Sequence, residues 1–239
     1  MKYEFDSYSD IGGRENNEDS YCTEKDGDSY LFVVADGLGG HDCGEIASGI
    51  AIEEIKRHFK RNPLSFSLCD AICDANKLIM DRQCESDLKM KTTVVAIFVS
   101  DDKVKVANVG DSRAYLFSDD SIFYQTVDHS ASQMAVNIGE ITPDQIRNHE
   151  DRNILTRALG VSETVKVDIA EFDCENIERM ILCSDGFWEY VLEDEMCETA
   201  RSSKNPDVWL FKMREKYAQR VSKGNDNNTA IVVIRKGTK

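Results

Sequence analysis

Runs of apolar residues separated by short polar breaks recur along the chain, and their β-branched and aromatic residues are typical of β-strands. Between residues 91 and 117, three such runs follow one another with only short breaks that contain Asp or Gly. Because these breaks are too short for helical crossovers, we predict an antiparallel meander there. The predicted strands are 30–35, 92–99, 104–109, 113–117, 180–183 and 229–234.

A helical repeat replaces the strand pattern over residues 44–60, and residues 65–86 and 206–221 also have helical patterns. The three prolines follow Asn or Thr, which suits an N-cap with proline at the first helical position. We therefore predict a mixed chain in which helices cover antiparallel sheets. The apolar stripe of the first helix is Ala47, Ile50, Ala51, Ile55 and Phe59, with Glu53, Glu54 and Lys56 facing away. The proline pairs are Asn62-Pro63, Thr142-Pro143 and Asn205-Pro206.

The composition narrows the class of protein. With 239 residues, 41% of them hydrophobic, and no composition break, the chain fits one domain over residues 1–239. Lys and Arg number 29 against 44 Asp and Glu, and the formal charge of −15 would repel a nucleic acid, so we predict no nucleic-acid partner. Solubility alone is the other explanation for so acidic a surface.

The sequence predicts no membrane span and a cytoplasmic location. No apolar run approaches about 18 residues, and the first ten residues lack a basic segment followed by an apolar stretch. The eight cysteines form no CxxC pair, and several lie in apolar runs such as 180–183. We interpret them as reduced core residues rather than disulfides or zinc ligands.

Two apolar runs end in the same Asp-Gly pair, Asp36-Gly37 and Asp185-Gly186. A glycine after the aspartate lets the backbone approach a ligand, so the Asp36 carboxylate and the Gly37 carbonyl could both reach a cation. The alternative for each pair is a tight turn with a solvated aspartate.

Further charged residues accompany these pairs. Asp226 precedes the strand predicted at 229–234, and Asp111 lies between two predicted strands, although each alone is more often a turn residue. Four aspartates at strand ends would repel one another unless cations neutralised them, and oxygen ligands favour magnesium or manganese. In segment 12–19, Arg14 adds a planar fork suited to phosphate oxygens, its alternative being a surface ion pair.

Other phosphate chemistries lack their motifs. The sequence contains no GxxxxGK[ST] loop and no Cys followed six residues later by Arg. The histidines at 41, 58, 129 and 149 have no metal-binding spacing, so zinc catalysis is not predicted.

Taken in order, these segments resemble the metal-dependent protein phosphatase family, the type 2C Ser/Thr phosphatases, and especially its compact bacterial members. Three more segments carry the resemblance: Lys91-Thr92-Thr93 and the segments 126–130 and 154–160. The resemblance implies an α+β fold, an αββα four-layer sandwich of two antiparallel sheets flanked by helices. It also implies a mobile flap at about 131–152.

By motif position, the resemblance implies two Mn²⁺ or Mg²⁺ ions and a role for each candidate residue. Asp36 would bridge the two metals, Gly37 would offer its carbonyl, and Asp185 with Asp226 would complete one site. Glu18 would bind the second metal mainly through water.

The resemblance further implies that Arg14 binds the phosphate and that Asp19 orients the attacking water. Asp111 with Asp185 matches a third, weaker metal site of bacterial relatives, where Glu189 stands in place of a frequent aspartate. Leu38 occupies the position of a histidine that animal members use as the acid, and His41 is not assumed to substitute for it. Water is the expected acid instead.

These implications predict direct hydrolysis of phosphoserine and phosphothreonine in proteins by a metal-activated hydroxide, without a phosphoenzyme. The expected partners are phosphoproteins and an opposing eukaryotic-like Ser/Thr kinase. Two alternatives are a pseudophosphatase that acts as a binding module and a phosphatase of small phosphorylated metabolites.

Overall fold

The computed structural model describes residues 2–39, 43–86 and 88–237, which form two sheets and the helices around them. The strands are β1 Lys2–Asp10, β2 Asp19–Asp26, β3 Ser29–Gly39, β4 Met90–Thr92, β5 Val94–Ser100, β6 Lys103–Val109, β7 Arg113–Ser118, β8 Ser121–Gln125, β9 Asp168–Asp173, β10 Arg179–Cys183 and β11 Asn228–Lys236. The α-helices are α1 Gly44–Arg61, α2 Leu68–Ser86, α3 Ala131–Asn137, α4 Asp185–Trp188, α5 Glu193–Arg201 and α6 Pro206–Arg220. Shorter 3₁₀ helices are Pro63–Ser65, Pro143–Asn148 and Cys174–Asn176.

Both sheets are antiparallel and lie face to face. One has the strand order β1-β11-β10-β7-β8, and the other has the order β2-β3-β5-β6-β9, with β4 paired to the end of β3. Successive side chains of a strand point to opposite faces, and in β3 both faces are buried. Leu31, Val33 and Ala35 pack beneath the helices, while Tyr30, Phe32 and Val34 pack between the sheets.

Helices cover the outer face of each sheet. α1 and α2 enclose one apolar layer against the sheet that contains β3, and α4 to α6 enclose another against the sheet that contains β11. The predicted α+β fold, an αββα four-layer sandwich, is confirmed. In the residues described above, no helix combines the length and apolar character needed to cross a bilayer.

The predicted meander between residues 91 and 117 is wrong in its third strand. β5 and β6 pair, but β7 pairs with β10 and β8 in the other sheet. The chain changes sheets at Gly110, whose φ of 109° is a conformation that favours glycine. The apolar pattern of β7 is the same for a partner in either sheet, so the pattern could not choose between them.

Other boundaries also differ from the predictions. β3 continues through Asp36 and Gly37 to Gly39, so Asp36 lies within a strand rather than after its end. The run 92–99 is interrupted at Thr93, and the helix predicted from residue 65 begins at Leu68. Strands β1, β2, β8 and β9 were not predicted because their exposed faces carry polar and charged residues.

Two expectations about side chains need correction. Glu54, expected to face away from the core, is buried on α1 and accepts hydrogen bonds from Arg57. The structure describes all eight cysteines and shows no disulfide between them, but they are not all core residues, because Cys69 and Cys84 are exposed on α2. Each proline does begin a helix, two of them 3₁₀ helices.

Candidate active site

A cavity of about 360 Å³ brings together segments that are far apart in the sequence. Nearly all of the predicted site residues line it: Arg14, Glu18, Asp36, Gly37, Asp111, Asp185 and Asp226. Asp19 lies just behind them, because it pairs with Asp36 in the β2–β3 ladder. Folding therefore brings the guanidinium of Arg14 and a group of carboxylates together at a single cleft.

Two threonines fix the backbone around Asp36. The Asp36 amide donates to Thr93 Oγ1 at 3.0 Å, and Thr92 Oγ1 donates to the Asp36 carbonyl at 2.8 Å. The next residue can only be glycine, since a Cβ on Gly37 would lie 2.2 Å from the carbonyl oxygen of Gly44. The segment Lys91-Thr92-Thr93 thus positions the Asp36-Gly37 pair.

Asp19 is buried and only one of its carboxylate oxygens is engaged. Ser184 Oγ donates to Asp19 Oδ2 at 2.7 Å and accepts from the Thr229 amide at 3.0 Å. Within the described part of the chain, neither Asp19 Oδ1 nor Asp185 Oδ1 has a hydrogen-bond partner, although both atoms are buried. Two buried acceptors are thus left for a ligand of the cleft.

Burial and mutual repulsion raise the pKa values of the cleft carboxyls. Burial is the first cause at each, raising the pKa of Asp185 to about 7 and that of Asp19 to about 6. The pKa of Asp36 is raised well above its usual value of 3.8, by burial and then by Asp19 and Asp185. The pKa of Asp111 is raised by burial and then by Asp185, and burial also raises that of Glu18. The cleft therefore favours either protons or cations.

Arg14 contacts the cleft through an ion pair. Its Nη2 lies 2.7 Å from Asp226 Oδ2, and this hydrogen bond is the main cause that raises the pKa of Arg14. The two side chains are 55% and 41% exposed, so solvent screens the pair. The ion pair given as the alternative for Arg14 is present, with a predicted metal ligand as its partner.

The residues that hold Asp111 were missed by the sequence reasoning. Trp188 Nε1 donates to the Asp111 carbonyl at 3.0 Å, and the Arg113 guanidinium lies 3.5 Å from the Trp188 ring centroid. Arg113 also donates two hydrogen bonds to Asp128, at 2.8 and 2.7 Å. The positions of Arg113 and Trp188 in the sequence did not indicate that these two side chains would stack on each other.

His129 fixes the turn before Asp111. Its Nδ1 accepts from the Gly110 amide at 3.0 Å, and its Nε2 lies 3.1 Å from Asp168 Oδ2. Burial lowers the pKa of His129, which favours the neutral ring, whose Nδ1 can accept the hydrogen bond from the Gly110 amide. The segment 126–130 therefore supports the turn that carries Asp111.

The donor set of the cleft suits hard cations. Among the described residues, the one group of three His, Cys, Asp or Glu side chains with ligand atoms all within 4.8 Å of one another is Glu54, His58 and Asp74, on α1 and α2. No three cleft carboxylates among the described residues converge so closely, so water would complete the shell of any cation held there. The carboxylate and carbonyl oxygens of the lining are the ligands that Mg²⁺ and Mn²⁺ prefer.

The segment 131–152 contacts Glu189 and Glu193 through two of its arginines. Arg152 Nε donates to Glu189 Oε1 at 2.7 Å, and Arg147 pairs with Glu193 at the start of α5. Leu38 lines the cavity, and no histidine among the described residues does. His41 lies outside the described residues.

Comparison with known proteins gives the family. Residues 8–221 match the family model described as protein phosphatase 2C. This chain is a member of the protein phosphatase 2C family. The serine/threonine phosphatase stp of Listeria innocua is 35% identical over 236 residues, which cover 93% of this chain and 91% of the relative. The predicted family and the predicted enzyme class, a protein Ser/Thr phosphatase, are confirmed.

Solved structures of serine/threonine phosphatases are similar to this chain as well. The serine/threonine phosphatase Stp1 of Staphylococcus aureus is 30% identical with a TM-score of 0.91, over 99% of this chain and 96% of that one. The catalytic domain of the serine/threonine protein phosphatase PstP, solved with two manganese ions, is 28% identical with a TM-score of 0.81, over 97% of each chain. The predicted kind of cofactor, a pair of Mn²⁺ or Mg²⁺ ions, agrees with that protein.

Proposed function

We propose that this phosphatase hydrolyses phosphoserine and phosphothreonine in proteins by one direct displacement, without a phosphoenzyme. The observation that carries the proposal is the single cavity that contains Arg14 and the carboxylates of Glu18, Asp36, Asp111, Asp185 and Asp226. Among the described residues, no Cys, Ser, Thr or His side chain lines this cavity. A water nucleophile fits such a lining.

In this proposal, Asp36 would be shared by two cations, and the Gly37 carbonyl, Asp185 and Asp226 would hold them with it. Glu18 would act mainly through water, and Asp111 with Asp185 would form a third, weaker site. When bound, divalent cations lower the pKa of water and offset negative charge on phosphoryl oxygens. The raised pKa values of these carboxyls fit a site in which positive charge has to be supplied.

The chain's own residues would orient the reactants. Asp19, whose Oδ2 accepts from Ser184 and whose Oδ1 has no hydrogen-bond partner among the described residues, would accept a hydrogen bond from the attacking water. Arg14 would exchange its bond to Asp226 for the phosphate oxygens, since a guanidinium fork suits phosphate. Because Leu38 cannot donate a proton, water would protonate the leaving oxygen.

The test of this function is hydrolysis of a phosphothreonine peptide by metal-free protein, with and without added Mn²⁺. We expect turnover only with Mn²⁺, and full activity in chelator would contradict the mechanism. A chiral phosphate ester then counts the displacements, because one displacement inverts phosphorus and a phosphoenzyme route retains its configuration. Retention would refute direct hydrolysis.

The two alternatives predict other results. A pseudophosphatase would hydrolyse nothing, and the presence of every predicted metal-binding residue in one cavity argues against it. A phosphatase of small metabolites would turn over phosphorylated metabolites faster than phosphopeptides. Rates on both substrate classes therefore decide between them.

We further propose that residues 1–239 form one catalytic domain in which the segment 131–152 serves as a flap that selects substrates. Its ion pairs with Glu189 and Glu193 are consistent with a surface segment docked beside the cleft. The lack of disulfides among the eight described cysteines is consistent with a cytoplasmic location, where thiols stay reduced. A Ser/Thr kinase acting in opposition is the partner that this activity requires.

A further inference from the structure

Asn227 lies between the loops that carry the proposed ligands, and none of the functions proposed above uses it. Its side chain is buried. Its Oδ1 accepts from the Glu18 amide at 2.8 Å, and its Nδ2 donates to the carbonyls of Ile11 at 2.8 Å and Asn16 at 2.9 Å. Both amide protons and the carbonyl oxygen of the carboxamide are therefore engaged.

These hydrogen bonds reach both ends of the segment 11–18, which contains Arg14 and Glu18. The backbone amide of Asn227 also donates to Oδ1 of the preceding residue, Asp226, at 2.9 Å, so the same residue orients a second proposed metal ligand. A third segment meets it too, because a Cβ on Gly186 would lie 2.0 Å from the Asn227 carbonyl oxygen. Asn227 thus contacts segments that are distant from it in the sequence and joins them at one point of the cleft.

We propose that Asn227 is a positioning residue that holds the Arg14 and Glu18 segment against Asp226, and so sets both metal affinity and phosphate binding. The inference rests on the proposed function, since it takes Glu18 and Asp226 as metal ligands and Arg14 as the phosphate ligand. Residues that orient metal ligands typically change metal affinity or activity by about 10- to 100-fold when they are removed.

The chain contains a matched control in Asn76 on α2. Asn76 is also buried, its Oδ1 accepts from the Gly160 amide at 2.8 Å, and its Nδ2 donates to the carbonyls of Ser162 and Glu163 at 2.9 and 3.3 Å. It makes the same three kinds of bond, but it does not line the cleft. Asn227→Ala and Asn76→Ala should therefore lower the melting temperature to a similar degree.

Only Asn227→Ala should alter the site. By calorimetric titration of metal-free protein, we expect Mn²⁺ to bind it about 10- to 100-fold more weakly than wild type. At saturating Mn²⁺, its KM for a phosphothreonine peptide should rise more than kcat falls. Asn76→Ala should keep the Mn²⁺ affinity and KM of wild type.

Unchanged Mn²⁺ affinity and KM in folded Asn227→Ala would overturn the proposal, and so would equal losses in Asn76→Ala. If Asn227→Ala does not fold, Asn227→Ser is measured instead, with a smaller loss in the same direction expected and no loss refuting the idea. The Mn²⁺ titration needs no turnover. If wild type binds Mn²⁺ but hydrolyses no phosphopeptide, the proposed function fails while the ratio of Mn²⁺ affinities still decides on Asn227.

Discussion

The Arg14 guanidinium and the Asp226 carboxylate form an ion pair in the cleft, with Nη2 2.7 Å from Oδ2. The pair joins the proposed phosphate ligand to a proposed metal ligand. Its two side chains are partly exposed, so their own attraction is weak and can be exchanged for substrate and cation.

Arg14→Ala should mainly weaken substrate capture. A charge-assisted hydrogen bond contributes about 1.5–3 kcal/mol, so kcat/KM on a phosphothreonine peptide should fall roughly 10- to 150-fold while Mn²⁺ remains bound. Arg14→Lys should recover only part, because an ammonium lacks the fork. Steady-state kinetics with a parallel Mn²⁺ titration measures both effects, and unchanged kcat/KM would leave Arg14 as a surface ion pair only.

Asp36→Asn should abolish turnover without unfolding the protein. The change removes a charge that two cations would share, and it also relieves repulsion from Asp19 and Asp185. In chelator the variant should melt at or above the melting temperature of wild type. Mn²⁺ should raise the melting temperature of wild type but not that of the variant. Asp81→Asn, exposed on α2, is the control and should behave as wild type. Wild-type turnover by Asp36→Asn with both metals bound would disprove the shared role.

The metal-free protein should gain stability from the cleft carboxyls as the pH falls. The folded pKa values of Asp185 and Asp19, about 7 and about 6, lie above the usual value of 3.8, so the folded state binds more protons across this window. Stability contributed by these groups therefore rises from pH 7 towards pH 4 and is lost as the pH increases again.

Melting of wild type and Asp185→Asn in chelator measures this contribution. The variant carries no charge at this position, so wild type should melt at a lower temperature than the variant. This difference in melting temperature should be largest at pH 7 and shrink towards pH 4. Mn²⁺ should also reduce this difference in melting temperature at pH 7. A difference between the two proteins that does not change with pH would contradict the raised pKa of Asp185.

Asp128→Asn should destabilise the fold strongly, because it leaves the buried Arg113 guanidinium without its main partner. Removing one partner of a buried pair typically costs about 3–5 kcal/mol. The control is Asp173→Asn, whose pair with Lys103 is exposed to solvent, so its removal should hardly change the free energy of unfolding. Urea unfolding of both variants measures the free energy of unfolding that each one loses. Equal losses would mean that the buried pair stabilises the fold no more than the exposed pair does.

The amino-acid sequence by itself determined the candidate chemistry and much of the core. Both Asp-Gly pairs, Arg14 and Asp226 could be found because short-range patterns, such as an apolar run followed by Asp and Gly, are local properties. The segment 44–60 was predicted as a helix for the same reason, since a 3.6-residue apolar repeat needs no knowledge of its partner.

Only the tertiary structure decided which sheet each strand joins and which residues hold the site. β7 carries an apolar pattern that either sheet could bury, and the left-handed turn at Gly110 sends it to the second sheet. The contacts of Asn227 with Ile11 and Asn16 join residues more than 200 positions apart. Such contacts depend on how two sheets pack, and a single sequence contains no local pattern that reports them.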